Sequence, residues 1–159
     1  VDMILETARR HPEIPFRLAG AVRDQALVAD LPANVVLTGY LSGSALADFY
    51  SRARFFVMAS RWYEGFPMTV LEAAAYGKPM IAPDHGGFTE IIGHGEDASG
   101  LLTPPGDLHR LSEAIASLWN DTVRVEKLGQ AAHAKLISRY STKVISEKWD
   151  KLLKSIIQQ

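Results

Sequence analysis

Two glutamates, Glu64 and Glu72, are separated by seven residues that include a Gly65-Phe66-Pro67 break. The break keeps the pair off one continuous helix, so Glu64 is predicted in a loop and Glu72 about a turn inside the helix that follows. A carboxylate accepts hydrogen bonds through both oxygens, so two carboxylates facing one pocket could hold a vicinal diol and sugar hydroxyls. The alternative is a solvated loop glutamate and a glutamate placed favourably near a helix N-terminus.

The helix after this break is predicted to have free backbone amides at its N-terminus, where an anion could bind. Pro67 needs no backbone donor in the first turn of a helix, and Gly77 ends that helix before the next strand. A strand predicted over Arg54–Met58 precedes the loop, which therefore lies at the carboxyl end of a parallel strand, where ligands bind in open α/β sheets. The free amides of Met68 and Thr69 predict a phosphate-binding site at the helix start.

The other candidate residues near this loop give less specific indications of a site. Gly86 and Gly87 could let backbone approach a ligand closely, or could form a plain turn. His85 lies beside the predicted pocket, either as an exposed loop residue or as a catalytic one. The five histidines are scattered and no Asp-x-Asp occurs, so the usual carboxylate clamp for a metal-bound diphosphate is missing and we expect no metal cofactor.

The elements that must position these residues alternate between short apolar runs and amphipathic stretches, the pattern of βα units on a mostly parallel sheet. Five strands are predicted, over Ile14–Gly20, Val35–Gly39, Arg54–Met58, Met80–Pro83 and Gly100–Thr103. Further helices are predicted over Asp2–Arg10, Val22–Asp30, Ser44–Ser51, Leu108–Trp119 with Asp107 as its cap, Val123–Ser138 and Thr142–Ile157. The sequence therefore predicts an α/β fold.

Composition narrows the class of protein. The 159 residues are 47% hydrophobic and 22% charged, which is typical of one globular domain, and we treat residues 1–159 as a single domain. The net charge of -1 disfavours a nucleic-acid partner. No apolar run approaches the roughly 20 residues that cross a bilayer, and the chain starts without a signal-peptide pattern. Because it begins without methionine, in a predicted helix, we expect residues upstream.

The segment from Glu64 to Glu72, followed by Ala73-Ala74, Gly77-Lys78-Pro79 and Gly86-Gly87-Phe88-Thr89-Glu90, closely resembles the C-terminal domain of retaining GT-B glycosyltransferases. That group contains many bacterial polysaccharide enzymes and glycogen synthase. The resemblance runs from the first helix to the closing helices. It implies a Rossmann-like parallel sheet with helices on both faces, the C-terminal half of a GT-B fold.

The resemblance also implies roles for individual residues. Glu64 would lie beside the transferred sugar, and Glu72 would bind the ribose. Gly65 and the residues Phe66, Pro67, Met68 and Thr69 would border the sugar and the diphosphate, largely through backbone amides. Pro67 stands where many relatives have glycine, and it removes one such amide. Tyr40 and Leu41 correspond to the loop that borders the nucleobase, although Tyr40 would equally suit a half-buried aromatic at a strand end.

The expected activity is retaining transfer of a sugar from a UDP-sugar to a hydroxyl acceptor. The Trp62-Tyr63 variant of the motif most resembles enzymes that use lipid-linked saccharides in bacterial surface polysaccharide synthesis, of the O-antigen or capsule type. Such an enzyme would work in the cytoplasm or against the inner face of the cell membrane. The family's first strand, its diphosphate-binding cations and its N-terminal acceptor domain would lie upstream, so we expect this chain alone to be inactive.

Three alternatives remain open at this stage. A related enzyme could act on soluble acceptors, as sucrose and starch synthases do. A sugar-nucleotide epimerase of the same architecture would be expected to carry a histidine and carboxylates for chemistry on the sugar, which the Glu64–Glu72 pair fits poorly. A non-catalytic nucleotide-binding module is the alternative outside the enzymes.

Overall fold

The computed structural model describes residues 1–157, apart from the side chain of Leu27. The strands are β1 (Phe16–Ala19), β2 (Val35–Gly39), β3 (Phe56–Val57), β4 (Met80–Pro83) and β5 (Gly100–Thr103). The α-helices are α1 (Asp2–Arg10), α2 (Gly43–Arg52), α3 (Met68–Ala75), α4 (Gly86–Ile92), α5 (Leu108–Asn120), α6 (Thr122–Lys135) and α7 (Thr142–Ile157). Ala26–Val28 and Gly95–Asp97 form short 3-10 turns, and Leu136–Tyr140 is a π-helical turn after α6.

All strand pairs in the described residues are parallel, as the βα pattern predicts. β1 pairs with β2, and β4 lies between β3 and β5. Within residues 1–157 the strands thus form a two-stranded and a three-stranded sheet rather than one continuous sheet. β3 is only two residues long, shorter than the predicted Arg54–Met58, and pairs on one edge only.

The core shows why β4 is continuously apolar. Ile81 packs in a cluster with residues of α1, β1, β2 and α5. Met80 and Ala82 point to the opposite face and pack in a second cluster with residues of α2, α3 and α4. Helices therefore cover both faces of the strand, which confirms the predicted α/β architecture.

The closing helices form largely as their patterns predict. Asp107 caps α5 by accepting a hydrogen bond from the Arg110 amide over 2.9 Å, and Leu111, Ile115 and Leu118 are fully buried on one stripe. α6 ends at Lys135, earlier than predicted, because the helix changes to the π-helical turn. None of the helices in residues 1–157 is long and apolar enough to cross a membrane.

The prediction of a helix over Val22–Asp30 is wrong. The segment Val22–Asp30 contains only the Ala26–Val28 turn, and an Asp24 carboxylate oxygen accepts from the Ala26 amide over 2.9 Å. Most side chains described there are exposed, so an amphipathic pattern had no surface to pack against. α4 is not among the helices predicted from sequence. It forms although it begins with the glycines Gly86 and Gly87, because Phe88, Ile91 and Ile92 are buried in the second cluster.

Candidate functional site

The predicted site residues lie in loops that follow the carboxyl ends of strands and in α3, which follows one of these loops. Tyr40 and Leu41 follow β2, the loop with Glu64 follows β3, and His85 follows β4. Because β3 and β4 are parallel neighbours, the last two loops meet at the same edge of their sheet. This edge is where the predicted anion site and the first glutamate come together.

Glu64 is half-buried and its backbone is fixed by the loop after β4. The Gly87 amide donates a hydrogen bond to the Glu64 carbonyl oxygen over 2.8 Å. A Cβ on Gly86 would lie 2.5 Å from the same oxygen, and one on Gly87 would clash with the Gly65 carbonyl and lie 2.7 Å from Cδ of Pro67. The two glycines therefore allow a close approach to the glutamate loop, a third role beside the ligand contact and plain turn considered from sequence.

Aromatic contacts hold the same loop from both sides. The Tyr63 ring stacks on His85 at 5.6 Å between centroids and 15° between planes. Phe66 packs against Tyr140 of the π-helical turn at 5.9 Å. His85 is thus not the exposed loop residue considered from sequence: it is half-buried, and both ring nitrogens are buried without a hydrogen-bond partner among the described residues.

The start of α3 offers two unpaired amides. Pro67 is buried and precedes the first helical residue, so it stands one position earlier than a first-turn proline. The amides of Met68 and Thr69 donate no hydrogen bond to another described residue outside the helix, and the first turn supplies them no carbonyl. With the helix dipole, these amides form a small region of positive potential next to Glu64.

Glu72 lies one turn into α3, as predicted, and is exposed. Its Oε2 accepts a hydrogen bond from the Tyr50 hydroxyl of α2 over 2.5 Å. Burial, followed by this hydrogen bond, raises the pKa of Tyr50 well above its usual range. The phenol therefore stays protonated at neutral pH and acts as the donor.

Exposed aromatic side chains lie on two of the loops that carry predicted site residues. Tyr40 is 81% exposed, which excludes the half-buried placement considered from sequence, while Leu41 is partly buried. Trp62 is 83% exposed, and Tyr63 and Phe66 are also exposed. Exposed aromatic rings beside polar groups are typical of surfaces that bind rings or sugars.

Charge at this edge is incomplete for a diphosphate. Arg61, the cation nearest in sequence, donates a hydrogen bond to Asp2 over 2.6 Å. No group of three or more His, Cys, Asp or Glu side chains suited to a metal ion occurs in residues 1–157. A groove of about 450 Å³ lies beside α1 and is lined in part by Arg61, Gly106 and Leu108, but by neither glutamate. This groove is therefore separate from the two glutamates.

Sequence reasoning missed the contribution of Tyr50 and misjudged that of His85. Tyr50 lies in the helix predicted over Ser44–Ser51, and nothing in that sequence pattern distinguishes it from an ordinary core residue. The available signal was its hydroxyl, because a buried tyrosine usually needs a hydrogen-bond partner. The partner is 22 residues away in sequence, so no local spacing identifies it.

The chain is similar to one protein family and to individual relatives. The family model described as "Glycosyl transferases group 1" matches residues 1–135. The lipopolysaccharide core biosynthesis mannosyltransferase LpsB of Rhizobium meliloti (strain 1021) is 31% identical over 114 residues, 72% of this chain and 31% of the relative. A GDP-mannose-dependent alpha-mannosyltransferase of Mycobacterium tuberculosis (strain CDC 1551 / Oshkosh) is 36% identical over 115 residues, 67% of this chain and 30% of the relative.

Solved structures share the fold. Anabaena Alr3699/HepE, determined in complex with UDP, superposes with a TM-score of 0.84 at 22% identity, over 96% of this chain and 44% of that one. The architecture is that of GT-B glycosyltransferases. The chain spans less than half the length of the curated relatives it matches.

Proposed function

The chain belongs to the glycosyl transferases group 1 family, and from this membership we propose that it binds a nucleoside-diphosphate sugar, specifically a UDP-sugar, for retaining transfer to a hydroxyl acceptor. The observation that carries the proposal is the juxtaposition of free α3 amides with glutamates on either side of Pro67 at a strand's carboxyl end. The UDP complex of a protein with the same fold supports the choice of nucleotide.

Each part of the site takes one part of the donor. The Met68 and Thr69 amides bind the diphosphate, since a helix N-terminus favours an anion. Glu72 binds the ribose diol through carboxylate oxygens, and Tyr40 with Leu41 borders the base. Glu64, with Gly65 and Phe66, lies beside the transferred sugar, where its charge stabilises the transition state.

We further propose that catalysis needs residues outside this chain. Among the groups assigned to the site, the α3 amides bind the diphosphate, and the cation nearest in sequence, Arg61, is paired with Asp2. Additional cations, a further strand and an acceptor-binding domain in the whole protein would complete the site, and residues 1–159 alone would bind the donor without transferring sugar. We also propose that the transfer needs no metal ion.

The proposed acceptor is a lipid-linked saccharide in bacterial surface polysaccharide synthesis. The relative named for lipopolysaccharide core biosynthesis supports this class of acceptor. The enzyme would then work in the cytoplasm, at the inner face of the membrane. Transfer assays with lipid-linked and soluble saccharide acceptors distinguish this proposal from a synthase that uses soluble sugars.

A GDP-sugar is the second candidate donor. It is favoured by the relative that is named for GDP-mannose and is 36% identical. Tyr40 can stack on either kind of base, so this residue does not discriminate between them. Titration of the full-length protein with UDP and GDP decides between the two donors.

The experiment that tests the proposed roles uses Glu72→Ala and Glu64→Ala in the full-length protein. Glu72→Ala should weaken binding of UDP by about 1–3 kcal/mol, because charge-assisted hydrogen bonds to the ribose are lost. Glu64→Ala should leave UDP affinity nearly unchanged and lower the turnover number, because UDP carries no sugar for Glu64 to touch. Calorimetry gives the affinities, and rates at saturating donor give the turnover.

Glu126→Ala serves as the control, because Glu126 is an exposed glutamate on α6. It should change neither the affinity for UDP nor the turnover number. Normal UDP affinity in a folded Glu72→Ala variant, or loss of UDP binding in Glu64→Ala, would show that the roles are assigned wrongly.

A further inference from the structure

Glu72 receives a hydrogen bond from a helix other than its own. The Tyr50 hydroxyl of α2 donates to Oε2 of Glu72 over 2.5 Å. Among residues 1–157, no other group donates a hydrogen bond to this carboxylate. Oε1 therefore keeps its full accepting capacity, and it belongs to an exposed residue.

The donor hydroxyl is itself held in place. The Tyr50 side chain is 7% exposed, and its ring stacks on Tyr76 at 5.4 Å with 14° between the planes. Phe56 of β3 packs against it at 4.7 Å, and Phe49 contacts its edge at 6.2 Å. A ring surrounded by other rings has little rotamer freedom, so the position of its hydroxyl is set by the core.

The same hydrogen bond joins two parts of the proposed nucleotide site. α2 begins just after Tyr40 and Leu41, the residues assigned to the base, and α3 carries Glu72, the residue assigned to the ribose. A contact between these helices therefore links the elements that carry the two subsites. A shift of α2 would change the distance from base to carboxylate.

Resting on the nucleotide-binding function proposed above, we propose that Tyr50 is a positioning residue: by holding Oε2 of Glu72, it presents Oε1 to the ribose diol. A free glutamate side chain loses rotamer entropy when it binds a ligand. A partner that fixes the side chain beforehand reduces this loss, so the gain appears as affinity for the diol and not for the rest of the nucleotide.

The test uses the full-length protein and compares ligands with and without the diol. UDP and 2′,3′-dideoxy-UDP are titrated by calorimetry into the parent protein, Tyr50→Phe, Glu72→Ala and the double variant. If GDP binds the parent more tightly, GDP and its dideoxy analogue are used. Tyr50→Phe keeps the stacked ring and removes one hydroxyl, so the packing of the aromatic cluster is preserved.

Tyr50→Phe should weaken UDP binding roughly three- to tenfold while leaving the affinity for dideoxy-UDP unchanged. In the Glu72→Ala background, the same substitution should have no further effect, since the two residues act as one unit. Tyr76→Phe is the control, because Tyr76 stacks on Tyr50 without bonding to Glu72. It should leave both affinities unchanged.

The outcomes separate this proposal from the one on which it rests. If Glu72→Ala weakens UDP binding and Tyr50→Phe does not, the positioning role is wrong and the ribose role of Glu72 stands. If Tyr50→Phe weakens UDP and dideoxy-UDP equally, its effect is structural and the positioning role is again wrong. If Glu72→Ala itself leaves UDP affinity intact, both proposals are overturned.

Discussion

At the scale of single residues, the absence of a Cβ at Gly87 is what allows the start of α4 to lie against the Glu64 loop. A Cβ there would clash with the Gly65 carbonyl and press on Pro67, and the Gly87 amide would no longer reach Glu64. We expect Gly87→Ala to lower the free energy of unfolding by about 1–3 kcal/mol and to displace the Glu64 loop. Chemical denaturation measures the first effect, and the turnover number of the full-length enzyme measures the second.

Gly65→Ala is the matched control for stability. A Cβ at Gly65 would have no heavy atom within 4 Å, so this variant should unfold at the same denaturant concentration as the parent. Equal stability of Gly87→Ala and the parent would show that the loops after β3 and β4 can separate without cost.

At the scale of elements, the end of α6 is tied to the loop after α4. Lys135 is 7% exposed, and its ammonium group donates to the Ile92 carbonyl over 2.9 Å and lies 3.1 Å from a carboxylate oxygen of Asp97. Arg139 donates to both oxygens of the same carboxylate. The pKa of Asp97 is held below its ordinary value of 3.8, mainly by the hydrogen bond from Lys135 and also by Arg139.

A carboxyl group whose pKa is lowered by folding stabilises the fold above its unfolded-state pKa and loses that effect as pH falls through the folded-state value. Asp97→Asn should therefore reduce the free energy of unfolding at neutral pH, and the difference from the parent should shrink as pH falls below 3.8. Urea titrations across this range measure the difference. The control is Asp48→Asn, which removes an exposed ion pair with Arg52 and should change the free energy of unfolding little. If Asp97→Asn were less stable than the parent by the same amount at every pH, the lowered pKa of Asp97 would not be the cause.

Sequence patterns predicted elements well where burial determines them. β4 and α5 have apolar residues at the spacing that packing requires, so their bounds follow closely from the chain. Val22–Asp30 has a similar spacing but only a short turn, because periodicity does not reveal whether a surface is available to cover it. The position of Glu72 one turn inside α3 was predictable, because it follows from the local break before that helix. Its contact with Tyr50 was not predictable, because it depends on how α2 packs against α3.

At the scale of the whole molecule, α7 has an apolar stripe without a buried residue. Ile145, Trp149, Leu152, Leu153 and Ile156 form the stripe, and the last four are at least half exposed. We expect amide hydrogen exchange in α7 to be faster in residues 1–159 alone than in the full-length protein, where a further domain would cover the stripe. Equal protection in both would show that α7 needs no partner beyond this domain.

The three tryptophans occupy three different surroundings, and this gives the protein an intrinsic optical readout. Trp62 projects into solvent beside the Glu64 loop, Trp119 lies half-buried under the Arg54 guanidinium at 5.0 Å, and Trp149 lies on the open stripe of α7. An indole emits at longer wavelength in water than in an apolar setting. Fluorescence from Trp62 should thus respond to donor binding, that from Trp149 to covering of α7, and that from Trp119 to unfolding, so single-tryptophan variants can follow each event separately.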